Sequence, residues 1–282
     1  MILVFGKTGQ LARELAGSDD VICLGRDQAD LSDPEACAAA IRAHAPTAVI
    51  NAAAYTAVDR AEEEEALATL INGEAPGAMA RACADLGIPF VHVSTDYVFD
   101  GSGETAWQPE DMVAPVNAYG RSKLAGEEGV GAAGGASAIL RTSWVVSSHG
   151  NNFVKTMLRL GAERDRLTIV ADQIGAPTPA RAIADTCLAM VQQLRQDPGK
   201  SGVYHLQGAP QVSWAGFAAE IFAQAGMTCE VEGIATTAYP TPAARPLNSR
   251  LDCTTLETVF GISQPDWRLG LRDILKDLGE AS

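Results

Sequence analysis

Short apolar runs alternate with amphipathic stretches along most of the chain. The apolar runs are too short for helices and predict strands, at 2–5, 21–24, 48–50, 90–94, 138–140, 167–170 and 203–206. Helical spacing of apolar positions predicts the helices between them, at 10–15, 34–44, 181–194 and over a long segment that ends near 86. Strands that alternate with helices in this way form a parallel sheet covered on both faces. We therefore predict an α/β fold with a Rossmann-type, doubly wound parallel sheet.

The pattern changes beyond residue 207. The segment from 236 to 246 contains prolines at 240, 242 and 246, and the alternation of strand and helix is lost. We predict that residues 1–207 form an NAD(P)-binding Rossmann domain, with parts of 145–180 lining a substrate cleft. Residues 208–282 are predicted to form a smaller substrate-binding lobe that closes over the strand ends.

Composition narrows the function classes. The 282 residues carry a formal net charge of −14, which argues against a nucleic-acid or an anionic membrane surface as partner. The six cysteines include no Cys-x-x-Cys pair, and no apolar run reaches the length of a membrane span. Met1 leads directly into the first strand and leaves no room for a signal peptide. We expect reduced thiols in a cytoplasmic protein.

A glycine-containing turn follows the first strand and opens the first helix. Such a turn lets backbone amides approach a pyrophosphate closely, so we predict a dinucleotide site there, although a plain tight turn is the alternative. The predicted contacts in this turn are Gly6, Lys7, Thr8, Gly9, Gln10 and Leu11.

The second strand ends in Gly25-Arg26, where an NAD-preferring protein usually has an acidic residue for the ribose diol. A small residue followed by arginine leaves room and charge for a 2′-phosphate, so we predict NADPH, with NADH still open. A solvated loop arginine is the alternative interpretation of Arg26. Asp30 and Leu31 are predicted to flank the adenine. The small residues Ala52, Ala53 and Ala54 follow the third strand and permit close approach of the cofactor.

Residues 91–128 contain the candidate chemistry. The fourth strand ends in Ser94-Thr95, and Asn117 is a plausible cap for a helix that carries Tyr119 and Lys123 on one face. We expect the ammonium to lower the pKa of the phenol, and Thr95 to add a second donor toward the same carbonyl oxygen. Two hydroxyl donors beside an ammonium are the groups that reduction of a ketone requires. The alternative is an exposed helix in which the tyrosine packs and the lysine is solvated.

The other titratable residues give weaker signals. His92 lies within a strand pattern and is expected to be a packed core residue, and no group of residues has metal-ligand spacing, so we predict no metal site. Arg245 and Arg250 are candidates for contact with a diphosphate, with ordinary surface arginines as the alternative.

Several longer motifs occur together and extend over nearly the whole chain. They are the segments 6–10, 51–59, 94–99, 119–127, 141–144, 150–153, 239–242 and 245–251. In this combination the sequence resembles the dTDP-4-dehydrorhamnose reductases, a family within the extended short-chain dehydrogenase/reductase superfamily.

The resemblance implies a catalytic triad of Thr95, Tyr119 and Lys123. In that reading Tyr119 donates a proton to the alkoxide that forms at C4 of the sugar, and Lys123 holds the nicotinamide ribose. The reaction would be reduction of dTDP-4-dehydro-6-deoxy-L-mannose to dTDP-L-rhamnose, the last step of dTDP-rhamnose biosynthesis. The substrate contacts that the family implies fall on Thr56, Val58, Thr95, Asp96, Tyr97 and Trp144.

The chain departs from the family pattern at two places. The third small position of the turn is Ala12 instead of glycine, which still fits a cofactor. Some relatives form a dimer bridged by magnesium through glutamates; Glu14 fits that pattern, but Arg181 stands where a second glutamate would be. The sequence therefore argues against a magnesium-bridged dimer and leaves a homodimer without metal open.

Two competing functions share the predicted fold. Sugar-nucleotide dehydratases and epimerases also carry the Tyr-x-x-x-Lys pair, but the dehydratases place Asp-Glu after the strand-end threonine. This chain has Asp96-Tyr97 and so lacks the second carboxylate that removes a sugar proton. The regulatory subunit of methionine adenosyltransferase resembles the family as a non-catalytic binding protein. The intact Thr95, Tyr119 and Lys123 favour an enzyme.

Overall fold

Short apolar runs form the strands of a computed structural model that describes residues 1–280. The runs at 2–5 and 48–51 are buried along their whole length in the centre of the molecule, as central strands of a parallel sheet require. The strands are β1 Ile2–Phe5, β2 Val21–Leu24, β3 Ala48–Asn51, β4 Phe90–Thr95, β5 Ser137–Thr142, β6 Val145–Val146, β7 Arg166–Val170, β8 Ile174–Gly175, β9 Thr178–Pro179, β10 Gly202–Leu206, β11 Val212–Ser213 and β12 Glu230–Ile234.

Amphipathic segments form eleven α-helices within residues 1–280. They are α1 Gln10–Leu15, α2 Pro34–His44, α3 Val58–Ala61, α4 Glu65–Thr69, α5 Ala75–Leu86, α6 Ala118–Gly131, α7 Phe153–Glu163, α8 Ala180–Gln196, α9 Trp214–Gln224, α10 Thr254–Phe260 and α11 Trp267–Leu278. One turn of π-helix, Leu70–Glu74, joins α4 to α5. None of the helices in this range is long and apolar enough to pass through a bilayer.

Six strands pair in parallel in the order β10-β5-β4-β3-β1-β2. Helices α1, α8 and α10 pack on one face, and α2, α5 and α6 pack on the other. The order reverses between β1 and β3, and ligands bind at such a switch point, beyond the carboxyl ends of the strands. The doubly wound α/β fold predicted from the sequence is confirmed.

One predicted strand lies elsewhere than expected. The segment 167–170, taken from its apolar pattern as the sixth strand of the main sheet, belongs to β7, which pairs with β12 in a separate two-stranded sheet. The sixth strand of the main sheet is β10, beside β5. A short apolar run specifies a strand but does not specify its partner, and here the partner comes from a segment some sixty residues later.

A third apolar cluster lies outside the main sheet. It joins α7 and β7 to α9 and α11, with Trp267 and Phe217 among its largest buried side chains. The lobe around this cluster therefore takes residues from 146–176 as well as from 212–275. The lobe contacts the loop after β5 of the main sheet where Trp214 stacks on Trp144, with ring centroids 3.7 Å apart.

Candidate active site

A cavity of about 1220 Å³ opens at the carboxyl ends of the sheet strands, against the lobe. It contains nearly all the residues that the sequence predicted for a site. Those in its lining are Gly6, Lys7, Thr8, Gly9, Gln10, Leu11, Arg26, Asp30, Leu31, Ala52, Ala53, Ala54, Thr56, Val58, Thr95, Asp96, Tyr97, Tyr119, Lys123 and Trp144.

The turn after β1 forms one end of the cavity. Gly6 has φ +115°, a conformation that side chains disfavour, and a Cβ there would lie 3.4 Å from the backbone of Ala52. The positive φ is the reason for a glycine here, and the turn packs against the start of the loop after β3. Both segments line the cavity, and their glycine and alanine residues leave room for a ligand that must approach the main chain, such as a pyrophosphate.

Arg26 lies at the same end of the cavity, beyond β2. Its side chain is 80% exposed, and its Nε is 3.8 Å from Oδ2 of Asp30. The lining also includes Asp27, which the sequence analysis did not select. An exposed guanidinium at the rim can meet an anionic group on a ligand without having to leave a buried partner.

The start of α6 is fixed by side chains from two directions. Oδ1 of Asn117 accepts a hydrogen bond from the Gly120 amide at 2.8 Å, which caps the helix as predicted. Glu62 accepts from the Ala118 amide at 2.8 Å. A Cβ on Gly120 would lie 2.2 Å from the carbonyl oxygen of Tyr97, so only glycine lets the helix pack on that loop. These contacts set the position of Tyr119.

The pKa of Tyr119 differs from the sequence-based expectation. We expected Lys123 to lower it, but burial and the neighbouring Asp96 carboxylate raise the pKa of Tyr119 to about 12, with the Thr95 hydroxyl opposing the rise. The expectation was wrong because the i, i+4 spacing fixes a shared helix face and not a contact between the charged ends. In this environment the phenol keeps its proton at neutral pH, which is the state that can donate to an alkoxide.

Lys123 is almost fully buried under the cavity floor. Its Nζ lies 2.7 Å from the carbonyl oxygen of Val93 and 3.2 Å from Nε2 of His92. Burial lowers the pKa of Lys123 to about 8, and Glu127 on the next helical turn acts in the opposite sense. A buried ammonium without a carboxylate partner is costly, and such groups cluster at functional sites.

Asp96 is a second buried charge beside the phenol. Its Oδ1 accepts from the Thr95 hydroxyl at 3.1 Å, whereas its buried Oδ2 makes no hydrogen bond of good geometry with the described residues. Burial raises the pKa of Asp96 to about 6, and the neighbouring hydroxyls of Ser249 and Thr95 oppose the rise. A buried polar atom without a partner calls for an explanation, and a ligand hydroxyl in the cavity would supply the missing donor.

Trp144 projects from the loop after β5 in a strained conformation. Its φ is +47°, which is uncommon for a residue with a bulky side chain. Gly175 makes room for the indole, since a Cβ there would lie 3.1 Å from it. The ring stacks on Trp214, the first residue of α9, and both indoles line the cavity. The aromatic wall therefore combines the sheet domain with the lobe.

Two predicted substrate residues lie outside the cavity lining. Arg245 donates to Oδ2 of Asp59 at 2.8 Å, and its side chain is only 19% exposed. Arg250 donates to the side chains of Gln211 and Asn248 at 2.9 Å each. Both guanidinium groups therefore have protein partners in this structure, and their assignment to a diphosphate stays a prediction.

Glu14 and Arg181, the two positions compared with a magnesium-bridged dimer, each lie near an oppositely charged or titratable side chain of the same chain. Glu14 lies 3.9 Å from Nε2 of His149, and Arg181 lies 3.7 Å from Asp185 on the same helix. Within residues 1–280, no group of three or more histidine, cysteine or acidic side chains is arranged to hold a metal ion.

Some residues of the cavity had no signal in the sequence. Trp214 follows a two-residue strand some seventy residues after Trp144, and no local motif joins the two. Thr142 and Ser143 also line the cavity; they belong to the motif 141–144, of which only Trp144 was predicted as a site residue. Their position at the end of β5 could have identified them, since carboxyl ends of parallel strands meet at one edge.

Comparison with known proteins assigns the chain to a family. The family model of the RmlD substrate binding domain matches residues 1–280. A dTDP-4-dehydrorhamnose reductase of Burkholderia thailandensis is 47% identical over 293 residues, which cover 98% of each chain. Two crystal structures share the fold over the full length. The dTDP-4-dehydrorhamnose reductase of Clostridium acetobutylicum has a TM-score of 0.92 at 36% identity, over 99% of both chains.

The second structure adds a ligand. The dTDP-4-dehydrorhamnose reductase of Bacillus anthracis, solved in complex with NADP, has a TM-score of 0.90 at 34% identity, over 98% of both chains. The resemblance inferred from the short motifs is thus confirmed by matches that leave no large segment of the chain unaccounted for. The chain belongs to the RmlD substrate binding domain family, the family of the dTDP-4-dehydrorhamnose reductases.

Proposed function

We propose that this protein reduces the C4 ketone of dTDP-4-dehydro-6-deoxy-L-mannose to give dTDP-L-rhamnose, with NADPH as the hydride source. Family membership over the full length supports the reaction. The single observation that carries it in the structure is the cavity that brings Thr95, Tyr119 and Lys123 together with the glycine turn after β1. Arg26 at the rim supports NADPH over NADH.

The residues of the cavity fit a nicotinamide nucleotide. The positive φ of Gly6 and the small side chains of 52–54 leave room for the close approach that a pyrophosphate needs, and Lys7 and Arg26 provide positive charge at the same end. When bound, the cofactor supplies a hydride to the ketone carbon. All other steps are performed by side chains of this chain.

Tyr119 is the proton donor in this proposal. Its raised pKa keeps the phenol protonated at neutral pH, and the alkoxide that forms on the substrate is a stronger base than the phenolate. The Thr95 hydroxyl, at the end of β4, is the second donor toward the same oxygen. Lys123 lies beneath the phenol's helix turn, where it can orient a ribose and stabilise the phenolate that is left.

Asp96, Tyr97, Thr56, Val58 and Trp144 are the proposed substrate contacts. The buried Oδ2 of Asp96 accepts from a sugar hydroxyl in this reading, which also satisfies its missing hydrogen bond. The indole of Trp144 offers a flat apolar surface to the sugar or base.

The proposal extends to organisation and location. We divide the chain into a nucleotide-binding domain, residues 1–207, whose segment 145–180 contributes to the cleft, and a substrate lobe, residues 208–282. The shared apolar cluster of 146–176 and 212–275 supports a cleft built from both. All six cysteines are free thiols, which supports the proposed cytoplasmic location.

The test is an assay with purified protein, NADPH and the 4-keto sugar nucleotide. We expect NADPH absorbance to fall only when the sugar is present, and dTDP-L-rhamnose to accumulate in equal amount. Tyr119→Phe keeps the ring and removes the proton donor, so its kcat should fall by about 10²–10⁴-fold. No NADPH consumption by the parent protein would favour a non-catalytic binding protein, and near-normal turnover by Tyr119→Phe would remove Tyr119 from its role.

A further inference from the structure

Two buried polar side chains lie side by side beneath Lys123. Asn51 ends β3 and is the register partner of His92 in β4, so the two point the same way from adjacent strands. Nδ2 of Asn51 is 3.2 Å from Nδ1 of His92, and Nε2 of His92 is 3.2 Å from Nζ of Lys123. Asn51 and His92 are 1% and 0% exposed, so bulk solvent does not reach these contacts.

The orientation of the Asn51 side-chain amide determines the direction of the hydrogen bonds. The backbone N–H of Ala53 donates to Oδ1 of Asn51 at 3.2 Å, which fixes the orientation of the side-chain amide. The NH₂ group of Asn51 therefore faces His92, and Nδ1 must be the acceptor. Burial keeps the pKa of His92 well below its usual value, so the ring carries a single proton, and that proton is on Nε2.

The consequence falls on Lys123. A ring with its proton on Nε2 presents a donor to Nζ, whereas the carbonyl oxygen of Val93 presents an acceptor. A neutral amine has one lone pair and two hydrogens and satisfies both neighbours. An ammonium has three donors and no lone pair, so it opposes the N–H of His92.

We propose that Asn51 and His92 form a polarised hydrogen-bond chain that presents a donor to Nζ of Lys123 and so favours its amine form over its ammonium form, which makes His92 a positioning residue for the active site. The functional meaning of this chain rests on the proposed reductase activity. Its hydrogen-bond pattern does not, because it is a property of the protein alone.

The surroundings of Lys123 support this role. Its lowered pKa, about 8, has the direction that a donor facing the amine would reinforce. The ionisable group whose charge acts on it is Glu127, on its own helix, and that carboxylate is paired with Arg141 of β5. Gly126 of α6 lies over the ring, since a Cβ there would be in van der Waals contact with Nε2 of His92, at 3.4 Å.

His205 is an internal reference with the opposite pattern. This second buried histidine, on β10, has Nδ1 at 3.0 Å from the carbonyl oxygen of Trp107, so Nδ1 must donate. Its Nε2 faces the Arg141 guanidinium at 3.4 Å and must accept. The protein therefore contains two neutral buried rings that carry their proton on different nitrogens.

The first experiment measures both tautomers directly. Protein labelled with ¹⁵N in the histidine rings, without ligand, is examined by long-range ¹H–¹⁵N correlation spectra at neutral pH. We expect His92 to show a protonated Nε2 and His205 a protonated Nδ1. The signals are assigned with the variants His92→Gln and His205→Gln, each of which loses the signals of the ring that it lacks. A protonated Nδ1 on His92, or a doubly protonated ring, overturns the proposal.

The second experiment follows Lys123 with ¹³C at Cε, in the parent, His92→Gln and His92→Asn. A glutamine amide reaches the place of Nε2 and can still donate to Nζ, whereas asparagine is one methylene too short. We expect the Lys123 titration midpoint of His92→Asn to rise by about one pH unit. Its kcat should fall roughly tenfold at nearly unchanged KM for the sugar, with His92→Gln closer to the parent in both.

Controls separate this role from packing alone and from the proposed reaction. His205→Asn removes an equally buried ring and should leave the Lys123 titration unchanged. If the histidine variants do not fold, Asn51→Asp keeps the shape and replaces the donor by an acceptor, so it should move the His92 proton to Nδ1 and raise the Lys123 midpoint. Parent-like titration and kcat in His92→Asn, or an unmoved proton in Asn51→Asp, would refute the positioning role even in an active reductase.

Discussion

Two buried cations, Lys123 on α6 and Arg141 on β5, are held by their surroundings in opposite ways. Arg141 is paired with Glu127, with Nη2 to Oε2 at 2.7 Å, and it also donates to the carbonyl oxygen of Pro109. Lys123 has only the Val93 carbonyl and the His92 ring. The carboxylate of Glu127, one helical turn from Lys123, is taken by the arginine.

The difference indicates a structural role for Arg141 and a role at the active site for Lys123. An arginine cannot give up its proton in a protein, so a buried one must be neutralised by a carboxylate and bonded at every donor. A lysine can lose its proton, and burial without a partner lowers its pKa into the range where it can change charge. The paired cation fixes α6 against the sheet, and the unpaired one faces the cavity.

The largest expected effect comes from removing the unpaired cation. Lys123→Met should lower kcat/KM by about 10²–10⁴-fold, since a group that touches the reacting site is lost. Its stability should rise. Folding lowers the pKa of Lys123 from 10.5 to about 8, so protonation of this side chain destabilises the fold increasingly as the pH falls from 10.5 to about 8, and by its full amount below that. Methionine avoids this cost of up to about 3 kcal/mol near neutral pH. Steady-state kinetics measure the predicted loss of kcat/KM, and denaturant unfolding measures the predicted gain in stability.

Removal of the paired cation should give the reverse result. Arg141→Met leaves Glu127 buried without its counter-ion and should cost about 3–5 kcal/mol of unfolding free energy. The double variant Arg141→Met/Glu127→Leu removes both charges and should recover part of that loss. Activity per folded molecule should stay within an order of magnitude of the parent. A stable Arg141→Met with strongly reduced kcat would contradict the division between the two cations.

Asp96 extends the comparison to an anion. Its pKa is raised, so the folded state binds a proton more tightly than the unfolded state, and ionisation destabilises the fold as the pH rises from about 4 through about 6. Asp96→Asn should therefore be more stable than the parent by up to about 3 kcal/mol near pH 7 and should lose this advantage near pH 4. Thermal or denaturant unfolding across that range measures the slope, and a pH-independent difference would show that burial does not set the cost.

Local patterns were sufficient for most of the fold and for the part of the site that lies at strand ends. The turn after β1, Thr95 and the α6 face were predictable because strand period, helix spacing and the Asn117 cap are all properties of neighbouring residues. The pairing of β7 with β12 and the stack of Trp144 on Trp214 were not, because each joins segments sixty or more residues apart.

Energetics were harder to predict than geometry. Sequence spacing suggested that Lys123 would lower the pKa of Tyr119, whereas burial and Asp96 raise it. The error came from treating both groups as solvated charges on a helix surface. Only the packed structure shows that the lysine is turned to Val93 and His92 below the helix.

The smallest expected effect concerns an exposed cation at the far end of the cavity. Arg26 is largely in solvent, and its contact with Asp30 at 3.8 Å should contribute little to stability, so Arg26→Ala should unfold like the parent. If Arg26 meets the 2′-phosphate, the variant should lose about tenfold in kcat/KM with NADPH and little with NADH. Lys7→Ala is the matched variant at the neighbouring turn, and comparison of the two cofactors in each variant locates the phosphate. An equal loss with both cofactors would assign Arg26 to the common part of the nucleotide, and the preference for NADPH would then depend on another residue.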